Sequence, residues 1–496
     1  MLRAMRLGID FGTTRTVVST VADGRYPVVS FDEGGEFRDH IPGIAAVRDG
    51  QLLVGWEASA AVADGSATHA IRSIKRVVGG LAPDALVDGL PDITALDLAT
   101  AFLSGLRDAL LTRSNVKITG ALEVMVAVPA NAASRQRWLT LEAFRRAGFE
   151  PIGLINEPTA AAIEHAHLHL DLDSKKRGSP KRYVVVYDLG GGTFDTSAVS
   201  LQDRRFDLIA SEGLAQIGGD DFDALVLEVA GVPATMAALE CARQAKETLR
   251  PTTKKLLLEL PDGTSVSVDV SEVYARAQPL IDRTLAQTDL LFERLREHGI
   301  DPEDARELGG VYVVGGSAAF PAVARALRAR FAKKLQLAPQ PFAATAVGLA
   351  IAADPSSKVL VREAITRHFG VWREAEHGHD KIFDSLLGKN TSTPITVERR
   401  YRPTHTVGHL RFLECGALDV AGQPVQDLVP WTDVYFPYDP ALADRDDLTD
   451  AHNERRTDLR TNTIAETYTY GSDGTISVRI QNETHGYART YELGRL

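Results

Sequence analysis

The segments GIDFGTTRT (Gly8–Thr16) and YDLGGGTFDTS (Tyr187–Ser197) decide the reading of this chain. Each follows an apolar run that reads as a buried strand, and each places an aspartate at or near the strand's exit. Gly12, Gly190, Gly191 and Gly192 lack a Cβ, so their backbone N–H groups can approach phosphate oxygens closely. Thr13, Thr14 and Thr193 add hydroxyl donors. Each hydrogen bond to a charged acceptor is worth roughly 1.5–3 kcal/mol. Asp10 and Asp188 would repel phosphate but suit a hydrated Mg²⁺, which keeps several waters and takes one or two carboxylates. Either loop alone also reads as a Gly-rich hairpin turn. Two matching loops predict a nucleoside triphosphate and Mg²⁺ held between two lobes. No GxxxxGK[ST] occurs, so this is not a Walker phosphate loop. Gly34-Gly35 is a turn and nothing more.

The flanking pattern alternates strand and helix. Val124–Val128 is a short apolar strand ending at Pro129, and Arg135–Ala147 is helical up to Gly148. Tyr183–Tyr187 is a strand that feeds the second glycine loop. Ser271–His298 reads as a long helix with Val273, Ala277, Leu280, Leu291 and Leu295 on one side, ended by Gly299. Asp301-Pro302-Glu303-Asp304 carries the marks of a helix start. Val311–Val314 enters Gly315-Gly316 as a strand. The class is α/β, and the paired Asp-Gly-Thr loops suggest a duplicated core.

At 496 residues, the length suggests about three domain-sized units. Hydrophobic residues make up 44% and charged residues 24%, enough apolar material for a large core. The net charge of −11, from 55 basic and 66 acidic residues, disfavours nonspecific nucleic-acid binding. Cys241 and Cys415 lie far apart, so no disulfide and a reducing compartment are expected. MLRAMRLGID has no secretory apolar stretch, and no run approaches the ~20 apolar residues of a membrane span. The cytoplasm and no membrane partner are the default expectation.

Several segments, in order, resemble the actin-like ATPase superfamily and, within it, the seventy-kilodalton heat-shock (DnaK-type) chaperones. They are the first loop, SIKRVVGG (Ser73–Gly80), the stretch from Val126 to His165 with INEPTAAA, the second loop, IGGDDFD (Ile217–Asp223) and VYVVGGSAAFPAV (Val311–Val323). Sugar kinases and actins share the loops but not INEPTAAA. The resemblance implies a two-lobed actin-like ATPase domain with a duplicated ribonuclease-H-like core over 1–355, its lobes about 1–165 and 166–340. A linker over 356–364 and a β-sandwich-like domain over 365–496 would follow.

The resemblance also implies roles. Gly12, Thr13 and Thr14 would bind the phosphates of ATP or ADP, opposite Gly190, Gly191, Gly192 and Thr193. Gly218, Gly219, Lys246, Gly315, Gly316 and Ser317 would line the nucleoside end. Asp10 and Asp188 would hold Mg²⁺ through waters. Lys75 would orient the attacking water and offset charge on the γ-phosphoryl group, with Glu157, Asp195 and Thr193 acting on the water or the metal shell. Such chemistry asks mainly for positioning and charge stabilisation. From the residues alone, Lys75 also reads as a solvated basic pair with Arg76, and Glu157 as a first-turn acid stabilising a helix start.

The nucleoside end departs from the family pattern. Glu247 stands where many members have arginine, Arg243 where an acid is usual, and Ala319 where an arginine flanks adenine. Weaker or less selective base binding is expected. The segment after IGGDDFD is short: Ala224–Ala230 can be helical, and Gly231-Val232-Pro233 breaks it. That puts the usual nucleotide-exchange factor in doubt.

The remainder, about Val359–Leu496, is rich in β-branched and aromatic alternation. Ile395–Arg399 and Ile476–Ile480 alternate. Tyr470–Leu493 reads as strand, turn, strand, with Asp473-Gly474 preceding the first strand, and LLGKNTSTPITVERRY (Leu386–Tyr401) resembles the chaperones' Asn-Thr-x-x-Pro segment. Val359-Leu360-Val361 reads either as an interdomain linker or as an ordinary strand start. No helical lid follows, so a bound segment is expected to exchange quickly. Asp439–Asp458 reads as a long exposed loop. His165 and His169 share a helix face, a weak metal signal beside the plainer reading of a helix end entering the 171–182 loop. Lys175-Lys176-Arg177 is too short for a nucleic-acid claim.

Three functional classes follow. The first is an ATPase whose cycle gates polypeptide binding by the β-domain, with a J-domain co-chaperone as implied partner. The second is a nucleotide-dependent switch that binds one dedicated protein partner. The third is a filament-forming or sugar-kinase relative, which INEPTAAA disfavours.

Overall fold

A computed structural model describes the chain apart from residues 1–3, 171–181, 202–203, 215, 305, 363–364, 366, 376–379, 390, 392–393, 426–427, 432, 472–474 and 494–496. The Asp473-Gly474 turn, much of the Asn390–Pro394 segment and the Lys175–Arg177 run lie outside the described residues. The chain divides into two compact units. One is Met1–Ala130 with Thr140–Arg362, the other Asn131–Leu139 with Glu363–Leu496.

The first unit is built on two sheets with the same plan. In the first, Met5–Phe11 runs antiparallel to Arg15–Thr20 and parallel to Leu122–Val128, which is parallel to Glu150–Asn156. In the second, Tyr183–Leu189 runs antiparallel to Phe194–Ser200 and parallel to Leu308–Val314, which is parallel to Leu335–Leu337. The glycine-threonine loops are therefore equivalent hairpin turns, each between the first two strands of its sheet. Central strands are covered on both faces and so read as continuous apolar runs. Leu7, Ile9, Val124, Val126, Val184, Val185 and Val186 are fully buried. Helix Ala344–Ala353 is apolar on nearly every side, and Glu157–His169 is buried from Pro158 to Ala166, because the two pack against each other and against the sheets. Leu360–Arg362 pairs in parallel with Arg205–Leu214 as the edge strand of the second sheet.

The long helix spans Val270–Glu297 and buries Val273, Ala277, Leu291 and Leu295. The helix Gly219–Ala230 ends at Gly231, whose φ of 66° is left-handed. The expected helix start at Asp301 is wrong. Asp301 Oδ1 accepts the Glu303 N–H at 2.9 Å, Asp304 Oδ1 accepts the Arg306 N–H at 2.8 Å, and the chain passes into strand Leu308–Val314. An aspartate cap signals a turn as readily as a helix, and too few residues remain before the strand to repay helix nucleation. Among the described residues no helix is long and apolar enough to cross a membrane.

The second unit is two antiparallel sheets. One carries His368–Ala375 between Asp380–Leu387 and Val407–Cys415, and the other runs Ile395–Tyr401, Ile464–Tyr470, Ile476–Asn482, Tyr487–Leu493. Alternate residues point inward: Ile476, Val478 and Ile480 join Phe369, Val371, Phe412 and Phe436 in one core. Within it Glu466 is fully buried and accepts from Arg373 Nη2 at 2.6 Å, Tyr401 Oη at 2.6 Å and Tyr468 Oη at 2.8 Å. The 439–458 segment is the exposed, irregular loop its composition suggests, tied down at a few points. Leu448 is buried, Arg456 pairs with Asp439, and the Thr406 N–H donates to the Glu454 carbonyl at 2.9 Å. Most of its charged residues face solvent, while Asp439, one leucine and the backbone anchor it.

Candidate nucleotide site

The first unit brings its predicted residues to one place. Asp10 lies in strand Met5–Phe11 and Asp188 in Tyr183–Leu189, each just ahead of its glycine loop. Asp195 stands opposite Asp188 across the second hairpin. Glu157 opens the helix Glu157–His169, and Lys75 lies in the short helix Ile74–Gly79. Lys75 Nζ donates to Glu157 Oε1. Lys75 is therefore a buried, paired cation rather than half of a solvated basic pair, and Glu157 combines the first-turn position with that ion pair.

Electrostatics tie these groups together. Burial raises Asp10 to about 7, with Lys75 pulling it down and Glu157 pushing it up. Burial likewise raises Asp195 to about 7, again against Lys75 and with Glu157. Asp188 is pushed well above the ordinary carboxylate range by burial and by Glu157, Asp195 and Asp10. Burial opposes the charge on Lys75, yet Glu157 and Asp10 outweigh it and hold the ammonium protonated. Four carboxylates share one ammonium, so the cluster is short of positive charge. Among the described residues no three His, Cys, Asp or Glu side chains converge as direct ligands of one metal ion. A cation held through its waters, with Asp10 and Asp188 accepting from them, fits that donor set.

The loops form a cradle. A Cβ on Gly191 would stand 1.5 Å from Thr14 Oγ1, so the two hairpins face each other with room only for glycine. Thr14 Oγ1 is buried and has no hydrogen-bond partner, which leaves a donor for a phosphate oxygen. Gly190 N–H donates to the Thr193 carbonyl at 3.0 Å and closes the second turn. The helix Gly219–Ala230 starts against that turn: Gly219 N–H donates to the Gly190 carbonyl at 3.0 Å and Asp220 N–H to the Gly191 carbonyl at 2.7 Å. Gly218, as its cap, donates to Asp221 Oδ2 at 2.8 Å. Gly315 has a φ of 85°, and its own Cβ would stand 2.5 Å from Asp188 Oδ1.

At the other end, Lys246 Nζ donates to the Gly219 carbonyl at 2.8 Å and pairs with Asp223 at 2.6 Å, and the Ser317 hydroxyl also lies against Gly219. Gly316 and Ala319 are exposed on the turn that holds Ser317. Arg243 and Glu247 prove to be complementary. They lie four residues apart on helix Met236–Glu247, 3.5 Å from each other, and Arg243 also pairs with Glu240. His165 is a core histidine: its Nε2 meets Gln336 Oε1, and burial lowers it to about 4.

Sequence reasoning missed four residues that join the lobes. Ser73 Oγ donates to Asp220 Oδ2 at 2.7 Å, and Arg72 lies 3.5 Å from both Asp220 and Asp223. Ser73 adopts a left-handed φ of 62°, costing of order 1–2 kcal/mol, immediately before the turn that presents Lys75. Their signal was the acids Asp220 and Asp223 inside IGGDDFD and the Arg72-Ser73 pair at the head of the SIKR segment.

These features define a two-lobed nucleotide-cleft protein, and residues 6–364 match the family model described as Hsp70 protein. The chain belongs to that family. It is 32% identical over 425 residues to the chaperone protein HscA of Salmonella paratyphi B, covering 79% of this chain and 65% of that protein. The chaperone protein HscA of Salmonella agona matches at the same identity and coverage, and that of Salmonella newport at 32% over 426 residues, again 79% and 65%. The chain thus spans just under two thirds of the length of the relatives it matches.

Proposed function

We propose that this chain binds and slowly hydrolyses ATP, and that its nucleotide cycle gates the binding of polypeptide by the β-rich unit. The observation that carries the reading is the convergence of Asp10, Lys75, Glu157, Asp188 and Asp195 beside two facing glycine-threonine loops. Lys75, fixed by Glu157, holds a positive charge where the γ-phosphoryl group would sit and donates toward an attacking water. Thr14 and Thr193 supply hydroxyls to the phosphate chain, and backbone N–H groups of Gly12 and Gly190–Thr193 complete it. Glu157 and Asp195 accept from the water or orient it. Mg²⁺, when bound, neutralises phosphate charge. A J-domain co-chaperone fits as partner by family likeness, whereas the short helix ending at Gly231 speaks against the usual exchange factor. The test is phosphate release by wild type, Asp10→Asn and Lys75→Ala, with and without a panel of unfolded peptides. Peptide-accelerated hydrolysis supports the reading, and indifference to every peptide counts against the client part.

A second reading, a switch for one dedicated protein partner, is favoured by the short segment after IGGDDFD, where the helix Gly219–Ala230 ends at Gly231 and alters the surface expected to meet the usual exchange factor. Hydrolysis that ignores peptides yet responds to a single folded protein would select it.

A further inference from the structure

Ala319 offers only a methyl group at the nucleoside end, and a different cation, Arg15, meets Glu247 beside Lys246. Arg15 is the first residue after Thr14, at the start of strand Arg15–Thr20. Its Nη2 lies 2.6 Å from an oxygen of Glu247, the residue after Lys246 on the opposite lobe. Its guanidinium carbon lies 5.7 Å from the centre of the Phe342 ring. Phe342 follows Pro341, whose carbonyl accepts the Gly315 N–H at 2.8 Å, so the ring stands beside the Gly315–Ser317 turn. Arg243 also reaches Glu247, and the Arg15 side chain keeps 21% of its surface exposed. Asp39 and His40 feel the Arg15 charge from the lobe it belongs to.

Three contacts thus fix one planar cation: a carboxylate at its edge, an aromatic ring near one face, and the phosphate loop at its backbone. A guanidinium held in this way stacks on a second π-system through its free face. The geometry points to Arg15 as the nucleobase-stacking residue of this chain, backed by Phe342 and held by Glu247. The ligand class is a purine nucleotide recognised by the face of its ring. Stacking reads the π-face and not the hydrogen-bonding edge, so adenine and guanine nucleotides should bind within a few-fold of each other. This inference rests on the nucleotide reading proposed above.

The test is displacement of a fluorescent ADP analogue by ADP, GDP and inorganic tripolyphosphate, all with Mg²⁺. Arg15→Ala should weaken ADP and GDP by roughly 5- to 100-fold and leave tripolyphosphate unchanged. Arg15→Lys, which keeps the charge without the plane, should behave like Arg15→Ala. Phe342→Ala and Glu247→Gln should weaken the diphosphates less, again sparing tripolyphosphate. Thermal unfolding without nucleotide checks that each variant is folded, and Arg15→Lys serves if Arg15→Ala is not. Equal loss for tripolyphosphate, full rescue by lysine, or no loss at all would overturn the assignment. Wild type that binds ADP in none of these assays, with tripolyphosphate also unbound, would sink the nucleotide reading and this inference together.

Discussion

Lys75 and Glu157 stand 82 residues apart in sequence and meet as a buried ion pair, their side chains 7% and 14% exposed. The pair spans two short helices whose starts are set by local backbone, a left-handed Ser73 on one side and Asn156-Glu157-Pro158 on the other. Removing one partner strands the other among carboxylates. Lys75→Ala should therefore cost about 3–5 kcal/mol of stability without nucleotide, read by denaturant unfolding. It should also lower single-turnover phosphate release by roughly 10²-fold while nucleotide affinity stays within a few-fold. Loss of binding in step with loss of hydrolysis would place Lys75 among the nucleotide-holding groups instead.

Asp10 and Asp188 are each preceded by fully buried strand residues, and among the described residues Lys75 is the cation that acts on both. In wild type, removing Mg²⁺ with a chelator should weaken ATP binding. In Asp10→Asn and Asp188→Asn that difference should shrink, because the waters of the ion lose a charged acceptor. Titration of ATP with and without Mg²⁺ on the three proteins gives the answer. An undiminished Mg²⁺ effect in both variants would remove these aspartates from the metal role.

The hairpins are packed so that Gly191 faces Thr14. Gly191→Ala should force the loops apart and weaken nucleotide binding by about 1–3 kcal/mol. Because the closest approach is to Thr14 Oγ1, with Thr14 Cβ next at 2.7 Å, Thr14→Ala should relieve part of the clash, so the two changes together should cost less than the sum of each alone. A double-mutant cycle on nucleotide affinity measures the coupling. Strict additivity would mean that the two residues do not meet in the working protein.

Much of this was legible beforehand, for reasons that differ by element. Apolar runs in buried strands and their glycine exits are local signals, so Val124–Val128, Tyr183–Tyr187 and the loops were readable without neighbours. The Asp301 start was not, because the same cap chemistry serves a turn and a helix and only the nearby strand at Leu308 decides between them. Lys75 illustrates a second limit: Ile-Lys-Arg-Val gives no hint which basic residue turns inward until Glu157 is placed. The charge exchange between Arg243 and Glu247 reads in sequence as two separate losses. Only the helical spacing and the arrival of Arg15 from the other lobe make it a single complementary arrangement. In the β-unit the alternation predicted the strands, but buried Glu466 has the same neighbours in sequence as any exposed strand glutamate.

Glu466 and Arg373 give the β-unit its own test. Glu466 is held inside the sandwich at 0% exposure, Arg373 keeps part of its side chain exposed and also pairs with Asp384 at 2.7 Å, and the Glu466 carboxylate accepts from Tyr401 and Tyr468 as well. Glu466→Ala takes a charged acceptor from two buried phenols and leaves Arg373 with Asp384 as its remaining carboxylate, and should destabilise that unit by about 1–3 kcal/mol. Calorimetry of the whole chain should show one transition moving down and a nucleotide-stabilised transition in place. An unchanged profile would mean that the network contributes little.

Glu164 and Tyr312 add a pH dependence away from the Asp10–Asp188–Asp195 cluster. The Tyr312 hydroxyl donates to Glu164, yet burial dominates and raises Glu164 from 4.5 to about 7. The unfolded chain releases this proton near pH 4.5 and the folded chain holds it to about 7. Between those values the folded state binds more protons, so stability falls as pH rises, by an amount on the order of a few kcal/mol. His165 beside it works in the other direction. Burial lowers it from 6.5 to about 4, so its contribution is present above 6.5 and is lost as pH falls toward 4. Glu164→Gln keeps an acceptor for Tyr312 and removes the titrating group. The variant should match wild type near pH 4.5 and exceed it at pH 8 in denaturant midpoint. A gain of equal size at both pH values would show that Glu164 costs stability through packing rather than through its proton.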